Sequence, residues 1–367
     1  MSGAGALRVP FNALHPSEDR AAIDEAIRRV VDSGWYVLGP EVEAFEHEFA
    51  TAAGAAHAVG VGTGTDAIAL ILRALDIGPG DEVITTPVSA AYTALAVLMA
   101  GARPVFADLD PDRLTLAPAA VEAAITPRTR AILPVHLYGQ PADLGALQPL
   151  AARHGLALVE DACQAHLATC GGRPVGTIGI AGAFSFYPTK NLGGLGDGGG
   201  VVTNDAALAA RIRRLRNGGQ SSRYHHDEPG INSRLDELQA AILRARLPFL
   251  AGWTARRRAI AATYRRQLAG AAVTVPPERD AGHVYHLFPV LTADRDRFQA
   301  AMRGCGVETL IHYPMPIPRQ PALGAAAPSA CPIADRVTAE VVSLPLYPSL
   351  SDEAVAAVVA AVVSSTR

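Results

Sequence analysis

The chain has 367 residues, too many for one ordinary hydrophobic core, so we expect a large domain and a smaller one. Hydrophobic residues make up 49% and charged residues 18%, a balance that excludes an intrinsically disordered chain. The net charge of −3 gives no electrostatic case for nucleic-acid binding, and no run of about 18 apolar residues predicts a membrane span.

Short β-rich runs alternate with helical runs through the first two thirds of the chain. The predicted strands cover residues 57–61, 82–86, 104–107, 131–135, 156–160, 182–186 and 200–203. The predicted helices cover residues 65–75, 92–100, 118–124, 144–154 and 206–216. Strand–helix alternation with strands that are apolar almost throughout predicts a sheet buried on both faces.

The rest of the chain predicts a second, smaller domain. Residues 235–268 have a helical period, and Pro248 should kink or split that helix. A strand over 283–291 and helices over 294–304 and 355–363 follow. Residues 313–329 are rich in proline and alanine, which predicts a loop over the surface or over an active site. We place the boundary between residues 1–249 and 250–367, and the first 30 residues are a candidate to pack on the small domain.

A first candidate site is Gly62-Thr63-Gly64-Thr65, which lies between a predicted strand and a predicted helix. Ligands of open α/β sheets bind outside the carboxyl ends of the strands. Glycine permits close approach of the backbone, and the free N–H groups of the helix attract an anion such as phosphate. The segment is neither a Walker A motif nor a complete GxGxxG, and a helix cap without a ligand explains it equally well.

Two further candidates end apolar strands. Asp161 is a carboxylate that needs a cationic partner, and Gln164 lies one helical turn later. Lys190 lies between the strand that holds Ser185 and the glycine-rich turn 193–200. Pyridoxal 5'-phosphate (PLP) needs such an amine for its aldehyde and such a carboxylate for its pyridine nitrogen. Each residue taken alone has a structural alternative. Asp161 could cap the following helix, and Gln164 could be an ordinary polar helix residue. Ser185 could be a small packing residue, and Lys190 a surface charge.

Together these segments resemble the DegT/DnrJ/EryC1/StrS family of PLP-dependent sugar aminotransferases, within the fold type I, aspartate aminotransferase-like superfamily. The resemblance runs from about residue 9 to residue 348 and rests on segments 35–42, 62–65, 160–166 and 184–199. It implies an α/β fold: a three-layer α/β/α large PLP-binding domain with a mixed, mostly parallel sheet, plus a smaller C-terminal α+β domain.

The resemblance also implies roles for individual residues. Lys190 would be the catalytic amine and proton shuttle, and Asp161 would pair with the pyridinium nitrogen. Gln164 would contact the ring hydroxyl, and Gly64, Thr65 and Ser185 would hold the cofactor phosphate. In the implied homodimer, Asn232 would reach the phosphate of the neighbouring subunit's cofactor. Candidates on the substrate side are Trp35, Tyr36, Tyr92, Tyr187, His312, Tyr313 and Arg319.

The implied reaction moves an amino group from glutamate or glutamine to PLP, leaving pyridoxamine 5'-phosphate, and then to a keto substrate. Segments 191–199, 215–219 and 232–237 look most like relatives acting on nucleotide-linked 3-keto-6-deoxyhexoses. We therefore expect a dTDP-3-keto-6-deoxyhexose 3-aminotransferase. Alternatives are a 4-keto nucleotide-sugar aminotransferase, a keto-cyclitol aminotransferase and, more remotely, a PLP-binding regulatory protein without turnover.

Cysteine spacing and the N-terminus bear on location. The four cysteines lack the paired CxxC spacing of a zinc site, so we expect free thiols and no metal. The first ten residues have no apolar core of signal-peptide length. We expect a cytoplasmic protein whose partners are an amino-acid donor, a nucleotide keto sugar and a second copy of itself, with no nucleic acid and no membrane.

Overall fold

The computed structural model describes residues 8–323 and 330–365. Its strands are β1 (His57–Val61), β2 (Glu82–Thr85), β3 (Arg103–Phe106), β4 (Thr129–Leu133), β5 (Ala157–Asp161), β6 (Thr169–Cys170), β7 (Arg173–Pro174), β8 (Ala181–Ser185), β9 (Gly199–Thr203), β10 (Gln220–Ser222), β11 (His225–His226), β12 (Phe288–Leu291) and β13 (Val341–Leu344). Residues 324–329 of the predicted proline-rich loop lie outside the described residues.

The helices are α1 (Arg20–Ser33), α2 (Pro40–Ala53), α3 (Gly64–Ala74), α4 (Tyr92–Met99), α5 (Pro118–Ala124), α6 (Leu144–His154), α7 (Ala206–Leu215), α8 (Glu237–Arg246), α9 (Leu250–Gln267), α10 (Arg295–Gly304), α11 (Pro332–Glu340) and α12 (Asp352–Ser365). Short 3-10 helices cover Leu137–Gly139, Leu247–Phe249 and Ile317–Arg319. Within the described ranges, none of these helices has both the length and the hydropathy needed to cross a bilayer.

Seven strands form the central sheet in the order β1-β9-β8-β5-β4-β2-β3. From β8 to β3 all neighbours are parallel, whereas β9 runs antiparallel to both β1 and β8. The predicted mixed, mostly parallel sheet is therefore confirmed. Alternate strand residues feed two hydrophobic clusters, one against α2, α6 and α8 and the other against α3, α4 and α7. The sheet is the middle of three layers, as expected for an α/β/α arrangement.

The C-terminal part has its own hydrophobic cluster. The antiparallel pair β12–β13 packs with α9, α10 and α12 around side chains that include Tyr264, Phe288 and Met302. Val9 joins this cluster, whereas α1 packs on α8 through Ala26 and Val30. Residues 8–30 thus divide between the two parts of the molecule, and the domain boundary after residue 249 stays a prediction.

Two expectations about the C-terminal elements had different outcomes. The long helix is split around Pro248, because a 3-10 turn separates α8 from α9, and this prediction is confirmed. The strand predicted over 283–291 begins only at Phe288. The N–H groups of Val284 and Leu287 instead donate to carbonyl groups of the loop at 138–139, at 3.0 and 3.3 Å. Residues 283–287 are consequently bonded to a loop of the large sheet and do not pair with another described strand.

Candidate active site

A cavity of about 680 Å³ opens at the carboxyl ends of the parallel strands β5 and β8. This volume lies within the roughly 300–1,000 Å³ typical of small-molecule sites. The cavity brings together ten of the predicted site residues: Gly64, Thr65, Tyr92, Asp161, Gln164, Ser185, Tyr187, Lys190, His312 and Tyr313. The sheet topology explains this convergence, since parallel strands end at a common edge.

Asp161 is the last residue of β5, and only 4% of it is exposed. Its Oδ2 accepts a hydrogen bond from the Thr93 hydroxyl at 2.8 Å, and its Oδ1 accepts one from the Cys163 N–H at 3.1 Å. Both donors fix the carboxylate in orientation and stabilise its charged form. Among the described residues no cation is bonded to this buried carboxylate, an arrangement that suits a protonated ring nitrogen.

The preceding residue, Glu160, points to the other face of β5 and is completely buried. Its carboxylate accepts from the backbone N–H groups of Gly176, Ile178 and Gly179 at 2.7, 2.8 and 2.7 Å. It also lies 3.0 Å from His136 Nε2. Two adjacent acids therefore have separate tasks: Asp161 faces the cavity, and Glu160 holds a loop against the sheet.

Lys190 lies in the turn after β8, where its backbone N–H donates to the Tyr187 carbonyl at 2.8 Å. Its side chain lines the cavity and is half-buried. Burial lowers the pKa of its amine below the ordinary value, while the nearby Cys163 and Asp161 oppose that shift. A lysine of this kind is neutral, and so nucleophilic, over a wider pH range than an exposed one.

The N-terminus of α3 forms another wall. Thr63 caps the helix by accepting the Asp66 N–H at 3.0 Å, while the first N–H groups of a helix have no partner within it. A Cβ added to Gly64 would lie 2.7 Å from Cys163 Sγ and 2.9 Å from Ser185 Cβ. Glycine therefore lets the helix start directly against the strand that ends in Ser185, and this creates a cradle of N–H and hydroxyl donors for an anion.

Gln164 and Tyr313 form a hydrogen-bonded pair beside Asp161. The Gln164 Oε1 accepts the Tyr138 N–H at 2.7 Å, and its Nε2 donates to Tyr313 Oη at 3.0 Å. Burial raises the pKa of Tyr313 to about 12. Burial also lowers the pKa of His312 to about 4, with a contribution from the charge of Lys190. At neutral pH the phenol is therefore protonated and the imidazole is neutral.

Four predicted site residues lie outside this cavity. Trp35 and Tyr36 are 57% and 50% exposed, and Asn232 is also exposed. Arg319 is exposed as well and pairs with Asp335 at 3.1 Å. The contact of Arg319 with a substrate anion stays a prediction. The contact of Asn232 with a neighbouring subunit's cofactor stays a prediction.

The structure adds residues that the sequence analysis missed. Thr93 is the hydroxyl donor to Asp161, and no local pattern reveals it because the two lie far apart in the chain. His286 is 7% exposed and lines the cavity, with Nδ1 at 3.2 Å from Asn191 Oδ1. Asn191 Nδ2 donates to the Val284 carbonyl at 3.1 Å, which orients the amide. His286 therefore carries its proton on Nδ1. In the sequence, His286 was notable only as a member of the predicted strand 283–291, which did not indicate a role in the site.

The donor set fits PLP: an amine, a buried carboxylate, and N–H and hydroxyl donors at a helix start. The model of the DegT/DnrJ/EryC1/StrS aminotransferase family matches residues 17–363. The chain belongs to this family. PLP is the family's cofactor, so Asp161 and Lys190 are the groups expected to meet the ring nitrogen and the aldehyde. The predicted family, fold and cofactor are confirmed.

Relatives and solved structures cover nearly the whole chain. The dTDP-3-amino-3,4,6-trideoxy-alpha-D-glucose transaminase of Streptomyces venezuelae is 51% identical, over 94% of this chain and 92% of that protein. The crystal structure of S. venezuelae DesV in complex with a ketimine intermediate superposes with a TM-score of 0.95 at 50% identity, over 98% of this chain and 99% of that one. The crystal structure of Bacillus subtilis NtdA with bound cofactor PMP superposes with a TM-score of 0.91 at 31% identity, over 98% of this chain and 85% of that one.

Proposed function

We propose that this aminotransferase moves an amino group from glutamate or glutamine to C3 of a dTDP-linked 3-keto-6-deoxyhexose, for aminosugar biosynthesis. The observation that carries the proposal is the meeting of Lys190, Asp161 and the start of α3 in one cavity. The acceptor is supported by relatives named as dTDP-3-amino-sugar transaminases, at 51%, 45% and 45% identity. These three names share the 3-position and the dTDP group.

PLP, when bound, supplies an electron sink for the carbon that loses its proton. Asp161 would meet the ring nitrogen and favour its protonated form, and Thr93 and Cys163 hold that carboxylate in place. Backbone N–H groups at Gly64 and Thr65, with the Ser185 hydroxyl, bind the phosphate and set the cofactor's position in the cavity.

Lys190 moves the proton. Burial lowers the pKa of its amine, so a neutral form would be available to take the proton from the donor carbon and to hold it for return to the cofactor. A positioned acid–base group of this kind contributes roughly 10²–10⁴-fold to a rate. His312 and Tyr313, both uncharged at neutral pH, line the same space and do not compete with Lys190 for the proton.

The assembly and location are part of the proposal. We expect a homodimer in the cytoplasm, with each subunit completing its partner's site through Asn232. Exposed aromatic side chains at Trp35, Tyr36 and Tyr224 provide apolar area for such an interface, and all four cysteines are free thiols.

The test combines purified enzyme, PLP, L-glutamate and dTDP-3-keto-6-deoxyglucose, followed by mass spectrometry of the nucleotide sugar. We expect a dTDP-3-amino sugar from the wild type and none from Lys190→Ala. L-Glutamine replaces glutamate in a parallel reaction. Product from the corresponding 4-keto sugar or from a keto-cyclitol, with none from the 3-keto sugar, would overturn the acceptor assignment.

A further inference from the structure

A second chamber, of about 300 Å³, adjoins the active-site cavity. The two spaces share four wall residues: Thr189, His286, Leu287 and His312. Because Thr189 directly precedes Lys190 in the chain, the chamber begins beside the catalytic amine. None of the reaction steps described above uses it.

Arg257, from α9, lines this chamber and is only 5% exposed. Its Nη1 donates to the carbonyl groups of Tyr285, His286 and Leu346 at 3.3, 3.3 and 2.9 Å. Its Nε has no hydrogen-bond partner, and Nη2 donates to none of the described residues. No carboxylate in the described parts of the chain forms an ion pair with it. Carbonyl groups therefore hold one edge of the guanidinium and leave the remaining donors for an anion.

The charges around the chamber favour an anionic ligand. Burial lowers the pKa of Arg257 to about 10, so it stays a cation at neutral pH. Burial holds the pKa of His286 well below its usual value, and the charges of Lys190 and Arg257 lower it further, so this neutral ring lies near both cations. Glu308 is the one acid among the chamber walls, and its Oε2 already accepts the Phe11 N–H at 2.8 Å.

The remaining walls are largely apolar. They include Phe11, Leu14, Leu287, Leu310 and Leu346. A short aliphatic chain that ends in a carboxylate matches this combination, because the chain lies against hydrocarbon and the carboxylate meets the planar guanidinium fork. A nucleotide diphosphate is a poorer match, since its several charged oxygens would face hydrocarbon walls.

We propose that this chamber is the subsite for the amino-acid donor and that Arg257 binds a donor carboxylate. The inference rests on the proposed function, because the donor half-reaction is what requires such a subsite. Glutamate offers two carboxylates of the same chemistry. The test below separates the α-carboxylate from the side-chain carboxylate.

The first measurement is the donor half-reaction alone, without keto sugar, followed by the change in cofactor absorbance at increasing L-glutamate or L-glutamine. Arg257→Lys keeps the charge but not the planar fork, and Arg257→Gln removes the charge. Arg258→Lys is the matched control, since Arg258 is the exposed neighbour and donates to the His283 carbonyl, at 2.9 Å. Circular dichroism and thermal melting verify that each variant folds.

The second measurement needs no turnover. Glutarate, an unreactive dicarboxylate, is titrated calorimetrically into wild type and both Arg257 variants. We expect each variant to weaken glutarate binding and to raise the half-saturating glutamate concentration roughly tenfold to a hundredfold. The maximal rate at saturation and the KM for keto sugar should stay nearly unchanged, as should every value for Arg258→Lys.

The outcomes differ in meaning. An equal loss with glutamate and glutamine assigns Arg257 to the α-carboxylate, and a loss confined to glutamate assigns it to the side chain. Unchanged donor saturation and glutarate binding in folded variants overturn the inference and leave the proposed function intact. A raised KM for the keto sugar alone also overturns it, because Arg257 would then contact the acceptor. A wild type that reacts with neither donor refutes the proposed function itself.

Discussion

Thr93 offers a way to test how the buried carboxylate of Asp161 is controlled. The substitution Thr93→Val removes the hydroxyl that donates to Oδ2 at 2.8 Å and keeps the shape of the side chain. Thr93 is 2% exposed and Asp161 is 4% exposed, and both line the cavity, so water could replace the lost donor only from the space that the cofactor would fill. Among the described residues, the donor that remains to the carboxylate is the Cys163 N–H on Oδ1.

The magnitude follows from the kind of bond removed. A hydrogen bond to a charged group contributes about 1.5–3 kcal/mol. That energy stabilises the carboxylate that holds the proton on the pyridine nitrogen, so its loss weakens both cofactor binding and catalysis. At 1.4 kcal/mol per factor of ten, we expect PLP affinity or kcat/KM to fall roughly tenfold to a hundredfold.

The assay is PLP titration of the apoprotein together with kcat/KM in the complete reaction, for wild type, Thr93→Val and Thr93→Ser. Thr93→Ser is the matched control, because it keeps the hydroxyl and loses only a methyl group. It should remain close to wild type. A valine variant as active as wild type would refute the reasoning. A serine variant as impaired as valine would show that packing of α4, and not the hydrogen bond, controls the site.

Three further predictions concern stability, pH and surface charge. Glu160→Gln places an amide N–H₂ against backbone N–H donors and should lower Tm by roughly 2–4 °C in a thermal melt, whereas an unchanged Tm would contradict its structural role. Burial lowers the pKa of Lys190, so the rate at which apoprotein combines with PLP should fall as pH drops through a value below 10.5, and a midpoint at or above 10.5 would contradict burial. Arg319→Ala removes an exposed ion pair and should leave kcat/KM unchanged and stability within about 1 kcal/mol, whereas a loss of acceptor binding would place Arg319 at the substrate.

The sheet was predictable strand by strand, because its strands are short apolar runs between helical segments. Its strand order and the reversed direction of β9 were not, since both depend on contacts between distant segments. The helices α1 and α2 were also absent from the predictions. The start of α2 shows why: Glu237, almost 200 residues later, accepts the N–H groups of Gly39, Glu41 and Val42 at 2.8–2.9 Å. Local sequence carries no trace of such a cap.

Within the site, the residues that follow strands were the predictable ones. Asp161, Ser185 and Lys190 each mark a strand end in the sequence, and the sheet carries them to one cavity. Thr93 and Arg257 were not predictable, because each lies on a helix and acquires its significance from a neighbour far along the chain. A threonine or an arginine on a helix does not by itself indicate a functional site.

The adjacency of Glu160 and Asp161 restricts how this chain can vary. Side chains alternate across a strand, so a one-residue insertion or deletion ahead of them within β5 would exchange the two faces. Asp161 would then turn away from the cavity, and the carboxylate of Glu160 would leave the loop that it holds. One codon gained or lost within β5 ahead of them would therefore remove both sets of contacts, those of Asp161 in the cavity and those of Glu160 with the loop.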